Sequence, residues 1–334
     1  MNLSNFFHFK HPFWLLFLLT NMIACASPMS RSIAFSNQHQ VGDTYMGIRL
    51  WGTLELARET FNGLKLSELS GLAWDEDEQI LYAISDQGNL FHLRPIIQDH
   101  ELKNVELLAA YPLHGDQENR LKTKDSEGMA IANGNNGVLG DSKLLISFEG
   151  KPVIAWFTPQ GAMTSAETLP PALTDKKAYV SSNKQLEAVA QHSQLGILTA
   201  PELPLKQNDK TDKIVIYAQN GLEWTLQRYP APNSSVVALE AFDNSSVLLL
   251  ERAFKSIFDP VIISLRQVSL STCKCNEGLD SETKQIAIFD SSQGWRVDNF
   301  EGLTRHHDNY FFMVSDDNDR DLQSTLLSYF EVLK

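Results

Sequence analysis

One pattern recurs along this chain: a polar residue, a small residue and an apolar run, followed by a second apolar run that closes on an acid. Its clearest copy is Asp125-Ser126-Glu127-Gly128-Met129-Ala130, whose second run ends in Ser147-Phe148-Glu149-Gly150. An earlier copy is Leu69-Ser70-Gly71-Leu72-Ala73, closing on Ser85-Asp86. Later ones are Leu186-Glu187-Ala188-Val189-Ala190 closing on Glu202, and Leu239-Glu240-Ala241-Phe242 closing on Glu251. The last is Asn299-Phe300-Glu301-Gly302-Leu303-Thr304, closing on Ser315-Asp316-Asp317-Asn318. Aligned on Gly71, Gly128, Ala188, Ala241 and Gly302, the copies lie 57, 60, 53 and 61 residues apart by subtraction of their numbers. A near-regular period of this size means repeated supersecondary units that bury their faces against one another.

Within each unit, short apolar and β-branched runs alternate with Asp, Gly, Asn and Pro, the pattern of strands joined by turns. The first unit offers strands near 71–74, 80–84, 89–93 and 105–110. The last offers only three, near 303–306, 310–314 and 325–332, while an unpaired strand candidate stands at 48–57. Letting that segment complete the last unit removes two open sheet edges, which otherwise invite aggregation. The expected fold is all-β: a β-propeller of five four-stranded blades over residues 45–334, with six blades as the alternative. Beyond the N-terminal segment no stretch sustains a 3.6-residue apolar period.

Residues 1–24 read as an export signal, with Lys10 ahead of an apolar run at 13–19 and small residues at Ala24 and Ala26. As a helix, residues 13–24 span roughly 18 Å, short of the roughly 30 Å hydrocarbon core. Met22-Ile23-Ala24-Cys25 resembles a lipobox, in which Cys25 is lipidated after cleavage; Ala24-Cys25-Ala26 alternatively fits an ordinary signal-peptidase site. The lipobox reading implies a lipid-anchored protein of the periplasm or outer membrane of a bacterium. Residues 25–44 then read as a flexible tether. Cys273 and Cys275 are expected to be turn residues, since a Cys-x-Cys bridge closes a very small, strained ring.

The formal charge of −13 excludes a nucleic-acid backbone as partner, which needs a basic stripe. In an antiparallel pair the start of one strand lies beside the end of the next. The acids Asp86, Glu127, Glu149, Glu187, Glu202, Glu240, Glu251, Glu301 and Asp316 are therefore expected to crowd one mouth of a central channel. Like charges so placed repel unless a cation or hydrogen-bond donors intervene. Calcium, which takes about 6–8 oxygen ligands, is one solution. Acids bracing the backbone amides of the next blade, and direct acid–base catalysis, are the other two. Lys151, Arg252 and Arg305 adjoin the motifs and are candidates to receive an anionic ligand, or to serve as salt-bridge partners. The run Asp316 to Asp321 fails as an EF-hand, with Leu322 where Gly is needed and Ser328 where Glu is needed. A Gly-x-Ser-x-Gly elbow, a Gly-rich phosphate loop and His-Glu-x-x-His are all absent.

Four elements in order resemble the bacterial "esterase-like activity of phytase" group of phytase-like domain proteins. They are Asp125-Ser126-Glu127-Gly128-Met129-Ala130, Leu249-Leu250-Glu251-Arg252-Ala253-Phe254, Asn299-Phe300-Glu301-Gly302-Leu303-Thr304 and Val314-Ser315-Asp316-Asp317-Asn318. The resemblance spans roughly 65–334 and implies an exported propeller that hydrolyses phosphate or carboxylic esters, with calcium by analogy with the calcium-dependent propeller phytases. The expected partner is a small-molecule ester or phosphate and the expected state a monomer. A non-catalytic envelope propeller that binds a cation, peptide or glycan is the alternative.

Overall fold

The computed structural model describes residues 29–115, 125–208, 212–256, 258–270 and 280–334. The export segment, Cys25, Cys273 and Cys275 lie outside the described residues.

Five antiparallel sheets are arranged as the blades of a propeller. The first is Leu69–Asp75, Ile80–Ser85, Asn89–Gln98 and Glu101–Pro112. The second is Ser126–Ala132, Lys143–Phe148, Val153–Phe157 and Met163–Ala166. The third runs through Leu186–His192, Gly196–Pro201, Lys213–Ala218 and Glu223–Gln227. The fourth is Ser234–Asp243, Ser246–Ala253, Ile262–Ser269 and Thr283–Asp290. The fifth takes Asn299–Arg305, Tyr310–Asp316 and Leu326–Val332 from the C-terminus and Ile48–Leu56 from the N-terminus. Leu326 pairs with Glu55 and Val332 with Ile48, so the ring closes head to tail as the missing strand requires.

Both faces of each blade are buried, because side chains alternate across a strand and every blade has two neighbours. Leu72 and Trp74 pack into the core shared with blade five, whereas Ala73 between them packs toward blade two. Leu144 and Ile146 face blade one and Leu145 faces blade three. Among the described residues the buried apolar side chains form five clusters, one at each blade interface.

The N-terminal segment is more structured than its polar composition suggests. Ser30–Ile33 adds a further strand outside Ile48–Leu56, pairing Ser30 with Leu56 and Ile33 with Thr53. Phe35 then inserts between blades four and five, with ring centroids 5.2 Å from Phe289, 5.3 Å from Trp295 and 5.8 Å from Phe300. The folded unit thus starts well before Tyr45. A single buried aromatic anchors a stretch whose neighbours are Ser, Asn, Gln and His, and that one residue leaves no periodic signal.

Candidate functional site

In every blade the innermost strand breaks register with the second strand near its start, as a β-bulge does. The breaks fall between Leu69 and Gly71, Ser126 and Met129, Leu186 and Ala188, Val236 and Ala238, and Phe300 and Gly302. The equivalent residues at the bulge are therefore Ser70, Glu127, Glu187, Val237 and Glu301. The small residues after them, Gly71, Gly128, Ala188, Ala238 and Gly302, meet around the axis with Leu72, Met129, Val189, Leu239 and Leu303. They must be small: a Cβ on Gly128 would stand 2.6 Å from the Glu187 carbonyl oxygen, and one on Gly71 2.7 Å from that of Glu127. Only about 10 Å³ of space is left on the axis, room for about one water, so the two mouths do not communicate.

The same register aligns the ends of the second strands. Ser85, Phe148, Pro201, Glu251 and Ser315 are equivalent, and one residue further on stand Asp86, Glu149, Glu202, Arg252 and Asp316. Seven of the nine expected carboxylates thus reach one mouth: Asp86, Glu127, Glu149, Glu187, Glu202, Glu301 and Asp316.

The fourth blade corrects the sequence alignment twice. Its axial small residue is Ala238, three positions before Ala241, so Val237 takes the place of the leading acid and Glu240 lies further along the strand. Glu240 sits at the opposite mouth, where its Oε1 accepts from the Ala241 N–H at 2.9 Å and Arg305 and Thr304 are beside it. At the end of the second strand the motif is offset by one residue, which turns a side chain to the other face. Glu251 is therefore buried between strands, accepting from Arg266 Nε at 2.7 Å and from the Tyr229 N–H at 2.8 Å. Arg252 takes the position that an acid holds in the other four blades.

At the mouth, one oxygen each of Glu149, Glu187 and Glu202 lie within 4.8 Å of one another, and all three residues are buried. Glu149 accepts from the Gln185 N–H at 2.6 Å, and Glu202 from Lys184 Nζ at 2.7 Å with Arg252 Nη2 3.7 Å away. Arg252 Nη1 lies 2.6 Å from Glu301 Oε1. Asn299 Nδ2 donates to Glu301 at 2.9 Å and to Asp316 at 3.0 Å. Glu127 and Glu187 have no donor to their carboxylates among the described residues, and Asp86 Oδ1 is buried without a partner.

These surroundings hold protons on the acids. Burial pushes Asp86 up to about 7, with Glu68 and Glu301 adding to it. Burial likewise takes Glu149 to about 7 against the opposing Gln185 hydrogen bond, and Asp316 to about 8 with Glu301 beside it. Glu127 and Glu187 are raised well above the usual carboxylate range by burial and by the neighbouring acids. Even Glu301 is raised, because burial outweighs Arg252. Oxygens 2.3–2.6 Å from a common calcium centre are at most about 5 Å apart, so the Glu149–Glu187–Glu202 cluster fits that ion.

The remaining candidates disperse. Arg305 is at the opposite mouth, donating to the carbonyl oxygens of Asp308 at 2.6 Å and Phe242 at 3.2 Å, so it cannot serve a ligand at the acidic end. Lys151 is exposed in the turn after Glu149. The acidic run beyond Asp316 holds the N-terminal segment: Arg58 pairs with Asp317 at 2.6 Å and Asp321 at 3.2 Å, and Lys65 with Asp319. His306 is also at the far end, bonded to the Tyr329 hydroxyl at 2.7 Å and pushed down to about 3 by burial.

Sequence reading missed Lys184, Gln185, Arg228, Asn299 and Phe254. Lys184, Arg228 and Arg252 line a cleft of about 360 Å³ beside the acids, together with Glu202, Leu203 and Phe254. Lys184 stands three residues before Glu187 and Asn299 two before Glu301, so the strand entry is the signal that could have found them.

In shape the chain is similar to the structures titled "COPII on membranes, outer coat vertex" (TM-score 0.40, 10% identity, covering 87% of this chain and 78% of that one) and "Structure of Dos1 propeller" (0.35, 10%, 90% and 83%). It is also similar to the Myceliophteria thermophila Cps50 (Swd1) β-propeller domain (0.39, 12%, 92% and 97%). No curated protein matches its sequence. The family model described as "Phytase-like: Esterase-like activity of phytase" matches residues 65–319, and with most of its length so covered the chain belongs to the phytase-like family, a family of hydrolase-type propellers.

Proposed function

We propose that this chain is an exported, calcium-dependent hydrolase of phosphate or carboxylic esters that works at the acidic mouth. The observation that carries the reading is the Glu149–Glu187–Glu202 cluster, three buried acids with oxygens within 4.8 Å of one another. Buried carboxylates that close together either keep protons or share a cation. These three residues would hold the ion, which when bound polarises the ester oxygen and offsets its charge. Membership of the phytase-like family supports the hydrolytic side of the proposal.

The chain's own side chains do the rest. Arg252, fixed by Glu301 at 2.6 Å, presents its guanidinium beside the cluster and orients an anionic ester. Glu127 stands next to the cluster with no hydrogen-bond donor on its carboxylate among the described residues and a strong preference for the protonated form. It gives its proton to the departing alcohol, and the carboxylate so formed takes the proton of the attacking water. The water oxygen bonds to phosphorus or the acyl carbon, the bond to the alcohol oxygen breaks, and the alcohol leaves protonated. The closed axis confines this chemistry to one end of the propeller.

The test is calcium titration of the chelator-treated protein, read both as melting temperature and as hydrolysis of 4-nitrophenyl phosphate and 4-nitrophenyl acetate. The proposal expects a calcium-dependent rise in both, abolished in Glu187→Gln. A melting temperature that rises with calcium while neither ester is turned over identifies a non-catalytic envelope propeller that binds a cation, peptide or glycan.

A further inference from the structure

Resting on the hydrolase reading, we infer that the mouth selects esters carrying one phosphate on an apolar alcohol, the phosphoryl group held by Lys184, Arg228 and Arg252 and the alcohol against Phe254 and Leu203.

The cleft next to the acid cluster joins two chemistries in about 360 Å³. That volume is at the low end for small-molecule sites, so the cleft suits a small ester and not a polymer. Part of the lining is cationic. Lys184 is 2.7 Å from Glu202, Arg252 is 2.6 Å from Glu301, and Arg228 pairs with Asp212. Each cation thus already has a carboxylate, and the lining has little positive charge to spare. Arg228 nevertheless keeps a buried Nε with no acceptor among the described residues, a donor that a phosphoryl oxygen would satisfy. One phosphate matches such a lining. A ligand with many phosphates would find no further cation in the cleft lining, whose Lys184, Arg228 and Arg252 are each already paired.

The same lining also carries apolar side chains. Phe254 is 44% exposed in the cleft, and Leu203 lies half-buried beside it. An exposed aromatic in the same cleft as paired cations gives an apolar alcohol a surface to cover, while the phosphate reaches the guanidinium groups. A polyol has no such use for the ring.

The experiment uses the full chain with calcium and two esters whose leaving alcohols have similar acidity, 2-phenylethyl phosphate and ethyl phosphate. The expected kcat/KM ratio is at least tenfold in favour of the phenylethyl ester, mostly through KM, falling to within about threefold in Phe254→Ala. Inositol hexakisphosphate is expected to be at least tenfold poorer than the phenylethyl ester. Binding of 2-phenylethylphosphonate, which cannot be hydrolysed, is measured calorimetrically in parallel and is expected to weaken about tenfold in Phe254→Ala. Phosphonate binding that depends on Phe254 without turnover of any ester upholds the cleft and removes the hydrolase reading. Equal efficiency on both monophosphates, faster turnover of the hexakisphosphate, a preference for 4-nitrophenyl acetate, or phosphonate binding that is absent or indifferent to Phe254→Ala overturns the inference.

Discussion

Arg252 Nη1 and Glu301 Oε1 lie 2.6 Å apart at the mouth, joining the fourth blade to the fifth. The guanidinium stands at the position where the other four blades carry Asp86, Glu149, Glu202 and Asp316, so the ring of acids has a cation built into it. Glu301 is thereby committed to a protein partner, and the cluster left for an external ion is the neighbouring one at blades two and three.

Arg252→Gln removes that internal counterion. Breaking a buried pair by deleting one partner leaves an uncompensated charge, at a cost of about 3 kcal/mol. Chemical denaturation without calcium should show a loss of that order. Calcium calorimetry should show tighter or additional binding, because Glu301 and Glu202 are freed. Unchanged stability would mean that Glu301 is already neutral beside the arginine.

Glu187→Gln acts in the opposite sense. Glu187 is buried with no donor among the described residues, and a neutral amide of the same shape removes the cost of keeping a proton on it against burial, Glu202 and Glu127. The variant is expected to melt higher than the parent in chelator, by a few degrees for about 1 kcal/mol, and to lose the upward shift with calcium. Differential scanning calorimetry with and without the ion reads both effects.

Without divalent cations, stability should fall as pH rises from 6.5 to 8. Asp86 is raised to about 7 and Asp316 to about 8, so the folded chain binds these protons more tightly than the unfolded chain. Their contribution is full below the ordinary carboxylate value and is lost as pH passes through the raised values. Each proton held differently changes stability by about 1.4 kcal/mol per pH unit. His306, pulled down to about 3, contributes the opposite slope only below 6.5 and leaves this window clear. Melting temperatures in chelator at half-unit steps measure the trend; a flat profile would show these acids to be ionised throughout.

Gly128→Ala should be among the most damaging small substitutions in the chain. The new Cβ would meet the Glu187 carbonyl oxygen at 2.6 Å and the Val189 nitrogen at 2.8 Å, both backbone atoms of the neighbouring blade. Overpacking of this kind costs about 1–3 kcal/mol and here acts on the ring as a whole. Urea unfolding of Gly128→Ala against the parent gives the value.

The fold was legible because the motif repeats and because 48–57 is a strand lacking a partner, which together demand a closed ring. The site was legible in the blades that keep an acid beside a small residue. It was lost in the fourth, where Leu239-Glu240-Ala241 imitates Leu186-Glu187-Ala188 more closely than the true counterpart Val236-Val237-Ala238 does. Register there depends on which residue fits the axis, a packing fact that pairs Val236 with Glu251 and Ala238 with Leu250. Two of the cations were harder to find for a related reason: Lys184 and Arg228 come from connections, which carry no period, and meet Arg252 only once the blades are assembled.

The outermost strand of blade five has a bearing on how the protein would be mounted. Ser30 opposes Leu56, at the same end of the sheet as Asp316 and Leu326, so the chain enters the propeller on the rim that bears the acids. From Cys25 to Ser30 a fully extended backbone reaches at most about 18 Å. With a lipid on Cys25, so short a leash would hold that rim toward the bilayer, and a substrate would come in along the membrane surface and not from open solvent.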